Sequence, residues 1–127
     1  MKIYVAHSRE YDYINELYLP IRNHAGFEKH TIILPHEVSN QSSNSRDFYK
    51  DIDFMIAECS YPSTGMGIEL GWAYDDHIPI YCIHKNHMKI SNSINAVTQN
   101  IFEYTSIEEM IQIIEDIIKK ENKTKVL

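Results

Sequence analysis

Residues 51–73, DIDFMIAECSYPSTGMGIELGWA, join an apolar run to a polar turn and a second apolar segment. The run DFMIAEC shows no alternation of polar and apolar residues, which is typical of a strand covered on both faces. The segment GIELGWAYDD has the spacing of a helix. A buried strand, a turn and a helix together predict one unit of a parallel α/β sheet.

The same alternation of strands and helices continues on both sides of this unit. Further strands are predicted at KIYVA, HTIIL, IPIYCI and IFEY. Right-handed crossovers between such strands lead to a doubly wound, flavodoxin- or Rossmann-like fold, with a five-stranded parallel sheet and helices on both faces. One compact domain over residues 1–127 fits this length.

The flanking helices have recognisable limits. Pro20 predicts a break near Leu19 in the first helix, because proline cannot donate the helical hydrogen bond. Ser106 and Glu109 form a capping box at the start of the last helix. Between these helices we expect a long loop at 36–46 and a short helix at DFYKDI, residues 47–52.

Composition excludes several classes of function. The net charge is -6 and the twelve Lys and Arg residues are scattered, which argues against binding to a nucleic-acid polymer. No segment resembles a signal peptide or a membrane anchor, so we expect a cytoplasmic protein that does not bind membranes. Cys59 and Cys82 lie in apolar runs and are predicted to be buried thiols.

The turn after the central strand is the predicted ligand site, since ligands of doubly wound sheets bind beyond the carboxyl ends of the strands. Gly65 and Gly67 are expected to adopt backbone angles closed to other residues and to let a ligand approach. Ser63 and Thr64 offer hydroxyl groups beside the amides of the next helix. These groups suit an anion such as phosphate.

Glu69 is the candidate for chemistry at this turn. We expect it in the first helical turn, where the helix dipole favours an ionised carboxylate. Such a carboxylate can stabilise or capture the positive charge that develops when a glycosyl bond breaks. Acidic residues are also common in first turns for the dipole alone, and that alternative stays open.

The segment 53–73, with IYVAHS at residues 3–8, resembles the nucleoside 2-deoxyribosyltransferase superfamily, and most closely its 2'-deoxynucleoside 5'-monophosphate N-glycosidases. The resemblance implies that Glu69 is the nucleophile and that Tyr4 orients it. It also implies an acid for the leaving base, for which Asp47 is the candidate with Asp51 behind it. The turn HSREYD, in place of a glycine-containing turn, departs from the family pattern.

The resemblance also implies how the substrate is bound. Ser63 replaces the acidic residue of members that act on free nucleosides, which favours a 5'-phosphate. The other implied contacts are polar residues near strand ends, namely Ser8, His36, Ser91 and Ser93. A serine of a neighbouring subunit can take part, so a homodimer or higher homo-oligomer is expected.

Each of these residues has a plain structural alternative. Tyr4 fits core packing, Ser63 fits an ordinary turn, and Asp47 or Asp51 fits a solvated helix. Asp53 is expected to cap its strand. His84 and His87 lack further ligands nearby, so we predict no metal and no cofactor.

The sequence therefore predicts an enzyme that cleaves or transfers the N-glycosidic bond of nucleosides or nucleotides. Two other interpretations remain open. One is a TIR-like NAD glycohydrolase, which uses a glutamate on a similar bond. The other is a nucleotide-binding or sensing module without turnover.

Overall fold

A computed structural model describes residues 1–37 and 51–126. Its strands are β1 (Lys2–His7), β2 (Thr31–Ile33), β3 (Phe54–Glu58), β4 (Ile80–Lys85) and β5 (Ile101–Tyr104). They form a five-stranded sheet in the order β2-β1-β3-β4-β5, and every pair is parallel. The predicted doubly wound α/β fold is confirmed.

Within the described residues, three α-helices connect or follow the strands, namely α1 (Leu19–Arg22), α2 (Thr64–Asp75) and α3 (Ile107–Val126). Short turns of other helical types occupy Ile14–Tyr18, Ala25–Phe27 and Asn92–Ala96. None of the helices in the described ranges is long and apolar enough to cross a membrane.

The helix around Pro20 changes type where a break was predicted. Residues Ile14–Tyr18 form a π turn, and the Leu19 N–H donates to the Ile14 carbonyl five residues back. Pro20 then lies in the first turn of α1, where a missing N–H costs no helical bond. The two helical pieces therefore follow one another directly, without a loop between them.

Each face of the sheet has its own core. On one face, Ile3 and Ile56 belong to a cluster with Leu17 and with Ile114 of α3. On the other face, Tyr4 of β1 belongs to a second cluster that includes the buried stripe of α2, which is Met66, Leu70 and Ala73. Strands β1 and β3 are almost completely buried, as their apolar sequences predict.

The capping box at the start of α3 forms as predicted. The Glu109 N–H donates to Ser106 Oγ at 3.1 Å, and the Glu109 carboxylate accepts from the Thr105 N–H at 2.9 Å. The expected loop after His36 and the expected helix at 47–52 fall mainly in residues 38–50, outside the described residues.

Ile114→Ala should lower the free energy of unfolding by about 2–5 kcal/mol, because it leaves a cavity between α3 and the sheet. Ile114 is 1% exposed. Ile107 on the same helix is 40% exposed, so Ile107→Ala should cost about 1 kcal/mol or less. Urea unfolding of both variants measures the difference, and equal losses would contradict this packing of α3.

Candidate functional site

The site lies where the winding of the sheet reverses, between the carboxyl ends of β1 and β3. The chain leaves β1 toward β2 on one side and returns to place β3 on the other side. His7 and Glu58 are the last paired residues of these two strands. Ligands of doubly wound sheets bind in the crevice at such a point.

Tyr4 belongs to β1, one of the two strands that border this crevice, and its side chain meets Glu69 of α2. The Tyr4 side chain is fully buried on the α2 face of the sheet, and its hydroxyl donates a hydrogen bond to Glu69 Oε2. Glu69 itself is partly exposed. The contact joins residues 65 positions apart in the chain. It gives the Glu69 carboxylate a defined orientation while leaving the residue in reach of solvent.

Glu69 is not in the first turn of its helix, so that expectation was wrong. α2 begins at Thr64, three residues before the predicted start, because the Ser63 side chain caps it by accepting from the Met66 N–H at 3.3 Å. Glu69 therefore stands in the second turn. The effect of the dipole falls off within the first turn, so Tyr4 is the stronger influence on the carboxylate.

The expected backbone conformation of the glycines was also wrong. Gly65 and Gly67 are ordinary helical residues, and no described glycine has a positive φ. The Gly67 N–H is used within the helix, where it donates to the Ser63 carbonyl at 3.0 Å. Only the amides of Thr64 and Gly65 precede the first bonded amides and could face an anion.

A cavity of about 290 Å³ lies beside the start of α2. It brings together four of the residues predicted to bind substrate, which are Ser63, Gly67, Ser91 and Ser93. Lys89 also lines it, and no sequence pattern had pointed to this residue. The floor is apolar and includes Met66 and Leu70.

Glu69 does not line this cavity. Successive residues of a helix are rotated by about 100°, so the side chain of Glu69 points almost opposite to Gly67, which does line the cavity. Its carboxylate lies on the flank of α2 toward β1, whereas the cavity lies on the flank toward the segment after β4. The two halves of the site therefore flank the first turns of α2. At the cavity, a Cβ added to Gly67 would meet nothing within 4 Å in the described part of the chain.

Ser8 and His36 lie elsewhere around the crevice and do not line the cavity. Ser8 is buried, and its Oγ accepts from the Glu10 N–H at 3.1 Å. His36 packs edge-on against His7, with 5.5 Å between the ring centres. The buried Nδ1 of His36 has no hydrogen-bond partner among residues 1–37 and 51–126, so a polar group of a ligand or a water would stabilise it.

His7 is held in one neutral tautomer. The Tyr18 hydroxyl oxygen accepts a hydrogen bond from the backbone N–H of His36 at 3.0 Å. The hydroxyl proton of Tyr18 is therefore available to donate to His7 Nε2, at 2.6 Å. His7 Nδ1–H then donates to the Ser8 carbonyl at 2.8 Å. Burial lowers the pKa of His7 to about 4, and the charges of His36 and Arg9 act in the same direction. Because the imidazole of His7 is neutral and both of its ring nitrogens are hydrogen-bonded, His7 has a structural role here.

Glu58 is a second carboxylate at the same edge, and the sequence analysis assigned it no role. It is fully buried and accepts from the Ser60 N–H at 2.7 Å, the Ser60 hydroxyl at 2.9 Å and the Tyr104 hydroxyl. Ser60 Oγ in turn accepts from the Lys85 N–H at 2.8 Å. This network ties the turn after β3 to β4 and β5. The sequence signal that could have pointed to Glu58 is its position as a carboxylate at the end of an apolar strand.

The three aspartates considered upstream of β3 lie in different environments. Asp47 lies outside the described residues. Asp51 is exposed and has a positive φ of 65°. Asp53 accepts from the Lys2 N–H at 2.7 Å and pairs with Lys125, at the amino end of the sheet. Asp53 therefore has the structural role that was expected.

Across residues 1–37 and 51–126, no three His, Cys, Asp or Glu side chains are grouped to hold a metal ion. His84 Nδ1 instead lies 2.9 Å from the Lys85 carbonyl. Cys59 and Cys82 are both buried free thiols, as predicted.

Comparison with known proteins adds no assignment. No protein-family model matches the chain, and no curated protein matches it. Of the predicted resemblance, the structure itself supports the five-stranded parallel sheet and its strand order.

The stability of the protein should depend on pH through His7. Its pKa is about 4 when folded and 6.5 when unfolded, so the unfolded state binds the additional proton between these values. The free energy of unfolding should therefore fall as the pH drops through this window. Between about pH 7 and about pH 4.5, wild type should lose about 2–3 kcal/mol more than a His7→Gln variant.

Urea unfolding of both proteins at a series of pH values measures this difference. Carboxylates titrate in both proteins, and comparing the two removes their contribution. Parallel stability profiles would show that His7 carries no buried neutral imidazole.

Proposed function

We propose that this protein cleaves or transfers the N-glycosidic bond of nucleosides or nucleoside 5'-monophosphates, with Glu69 as the nucleophile. The observation that carries the proposal is the hydrogen bond from the buried Tyr4 hydroxyl to Glu69 at the switch point of the sheet. An oriented carboxylate that is not fully buried suits attack on a sugar carbon.

The proposed reaction has two steps. Glu69 attacks C1' of the sugar and forms a glycosyl ester while the C1'–N bond breaks. The bonding electron pair goes to the base nitrogen, which takes a proton from an acid, and Asp47 is the residue that the resemblance assigns. Water then adds to C1' and gives its proton back to the deprotonated acid, which releases Glu69 as a carboxylate. A second base in place of water gives transfer.

The cavity beside α2 supports a phosphate on the proposed substrate. Ser63, Ser91 and Ser93 supply hydroxyl groups there, on the flank of α2 away from Glu69. A nucleotide with C1' near Glu69 and its phosphate in the cavity has to cross the first turns of α2. Gly65 and Gly67 contribute no side chains to that crossing, whereas Thr64 and Ile68 of the same turns are exposed. This accounts for two glycines that have ordinary helical conformations.

A homodimer or higher homo-oligomer is part of the proposal, as the resemblance implies. Ile68 and Tyr74 on α2 are 49% and 57% exposed, so this helix presents apolar surface next to the site. Burying that surface against a second copy would complete the site at a subunit interface.

Glu69→Gln should lower the rate of base release from 2'-deoxynucleoside 5'-monophosphates by about a thousandfold or more, since the amide cannot act as the nucleophile. Tyr4→Phe should lower it by about 10- to 100-fold, because it removes one hydrogen bond to a charged group. Chromatographic detection of the released base measures both effects.

Unfolding curves of the same variants serve as the control for correct folding. Equal activity of Glu69→Gln and wild type would end the proposal. Release of nicotinamide from NAD, without release of any base from deoxynucleotides, would favour a TIR-like glycohydrolase. Tight nucleotide binding by calorimetry without product would indicate a sensing module.

Gly67→Ala should separate stability from activity. The added methyl meets nothing within 4 Å among the described residues, and alanine is about 1 kcal/mol better than glycine in a helix, so stability should rise. Activity should fall about tenfold or more, because a methyl forced into an occupied site costs about 1–3 kcal/mol. Urea unfolding and base release measure the two effects.

Gly71→Ala is the matched control. It lies one turn further along α2, and its added methyl also meets nothing within 4 Å. It should give the same gain in stability with unchanged activity. Full activity of Gly67→Ala would show that no substrate crosses the helix at this point.

A further inference from the structure

Among the described residues that line the cavity beside α2, Lys89 is the only charged one. Its side chain is exposed, and no carboxylate in the described part of the chain pairs with it. No acidic residue of the described ranges lines the cavity either. A protein with a net charge of -6 thus has a locally positive cavity, which selects for anions.

The three serines of the cavity together leave two hydroxyl protons for a ligand. Ser63 Oγ accepts from the Met66 N–H, so its own hydroxyl proton can point into the cavity. Ser91 Oγ and Ser93 Oγ lie 2.8 Å apart. One of these hydroxyls donates to the other, which leaves one proton for a ligand. The serine hydroxyls and the Lys89 ammonium thus place several hydrogen-bond donors around one small cavity.

The size and lining of the cavity limit what this set can bind. About 290 Å³ is enough for one phosphate group with part of a sugar, at the low end of ligand pockets. The apolar floor contributes no acceptor groups for a bound cation. A compact oxyanion on a small organic ligand therefore fits better than a cation or an extended polyanion.

We propose that Lys89 is a specificity-determining residue, which binds the 5'-phosphate and makes nucleotides better ligands than nucleosides. This inference rests on the proposed function, since it assigns one part of the same substrate. The ammonium group neutralises phosphate charge while the serine hydroxyls fix the phosphate oxygens. A nucleoside lacks this charge and gains nothing from Lys89.

Binding of 2'-deoxynucleoside 5'-monophosphates and of the matching nucleosides tests the proposal by calorimetry. Lys89→Met should weaken nucleotide binding by about 10- to 100-fold, which is the effect expected for a charge-assisted hydrogen bond. It should leave nucleoside binding unchanged. Lys89→Arg keeps the charge and should retain most of the preference for nucleotides.

Lys119→Met is the matched control. It makes the same change in net charge on α3, the helix that packs on the opposite face of the sheet. It should leave the affinity for both ligand classes unchanged.

Two results would overturn the inference. One is a wild type that binds nucleotides no better than nucleosides. The other is an equal loss of nucleotide affinity in Lys89→Met and Lys119→Met. Failure of the reaction gives a different result: nucleotide binding would depend on Lys89 although no base is released from any substrate.

Discussion

The burial of β1 and β3 on both faces is the constraint on which the rest of the structure depends. Two helical layers cover these central strands, so their polar groups have to find partners inside the protein or at the strand ends. His7 and Glu58 do so at the carboxyl edge, each through a set of short hydrogen bonds. The edge that must satisfy these groups is also the edge where the winding reverses. The buried polar side chains and the open crevice therefore lie at the same edge of the sheet.

The two glutamates at this edge differ in burial and in hydrogen bonding. Glu58 is fully buried, and it accepts from the Ser60 amide and hydroxyl and from the Tyr104 hydroxyl, so it holds a turn in place. Glu69 is partly exposed and is oriented by Tyr4 from the strand below. A carboxylate whose hydrogen bonds rigidify a turn cannot also approach a substrate. The proposed reaction therefore assigns the chemistry to Glu69 and not to Glu58.

Much of the fold could be predicted because its signals are local. Continuous apolar runs predicted the buried strands, and the Ser106 and Glu109 pattern predicted the start of α3, where the capping bonds form. The start of α2 was misplaced because Ser63 was assigned to the turn, whereas it caps the helix. That error moved Glu69 into the wrong helical turn. It also gave Gly65 and Gly67 a conformation that they do not have.

The sequence by itself determined the order of strands and helices, the two covered faces of the sheet and the residue types near its carboxyl edge, since periodicity and capping act between near neighbours. Apart from the pairing of Tyr4 with Glu69, which the family resemblance implied, only the tertiary structure decided which of those residues meet. Tyr4 reaches Glu69, and Lys89 joins Ser63 and Ser91 around a cavity, because parallel crossovers bring together positions far apart in the chain. Such contacts depend on strand order and helix rotation, and no local pattern encodes them.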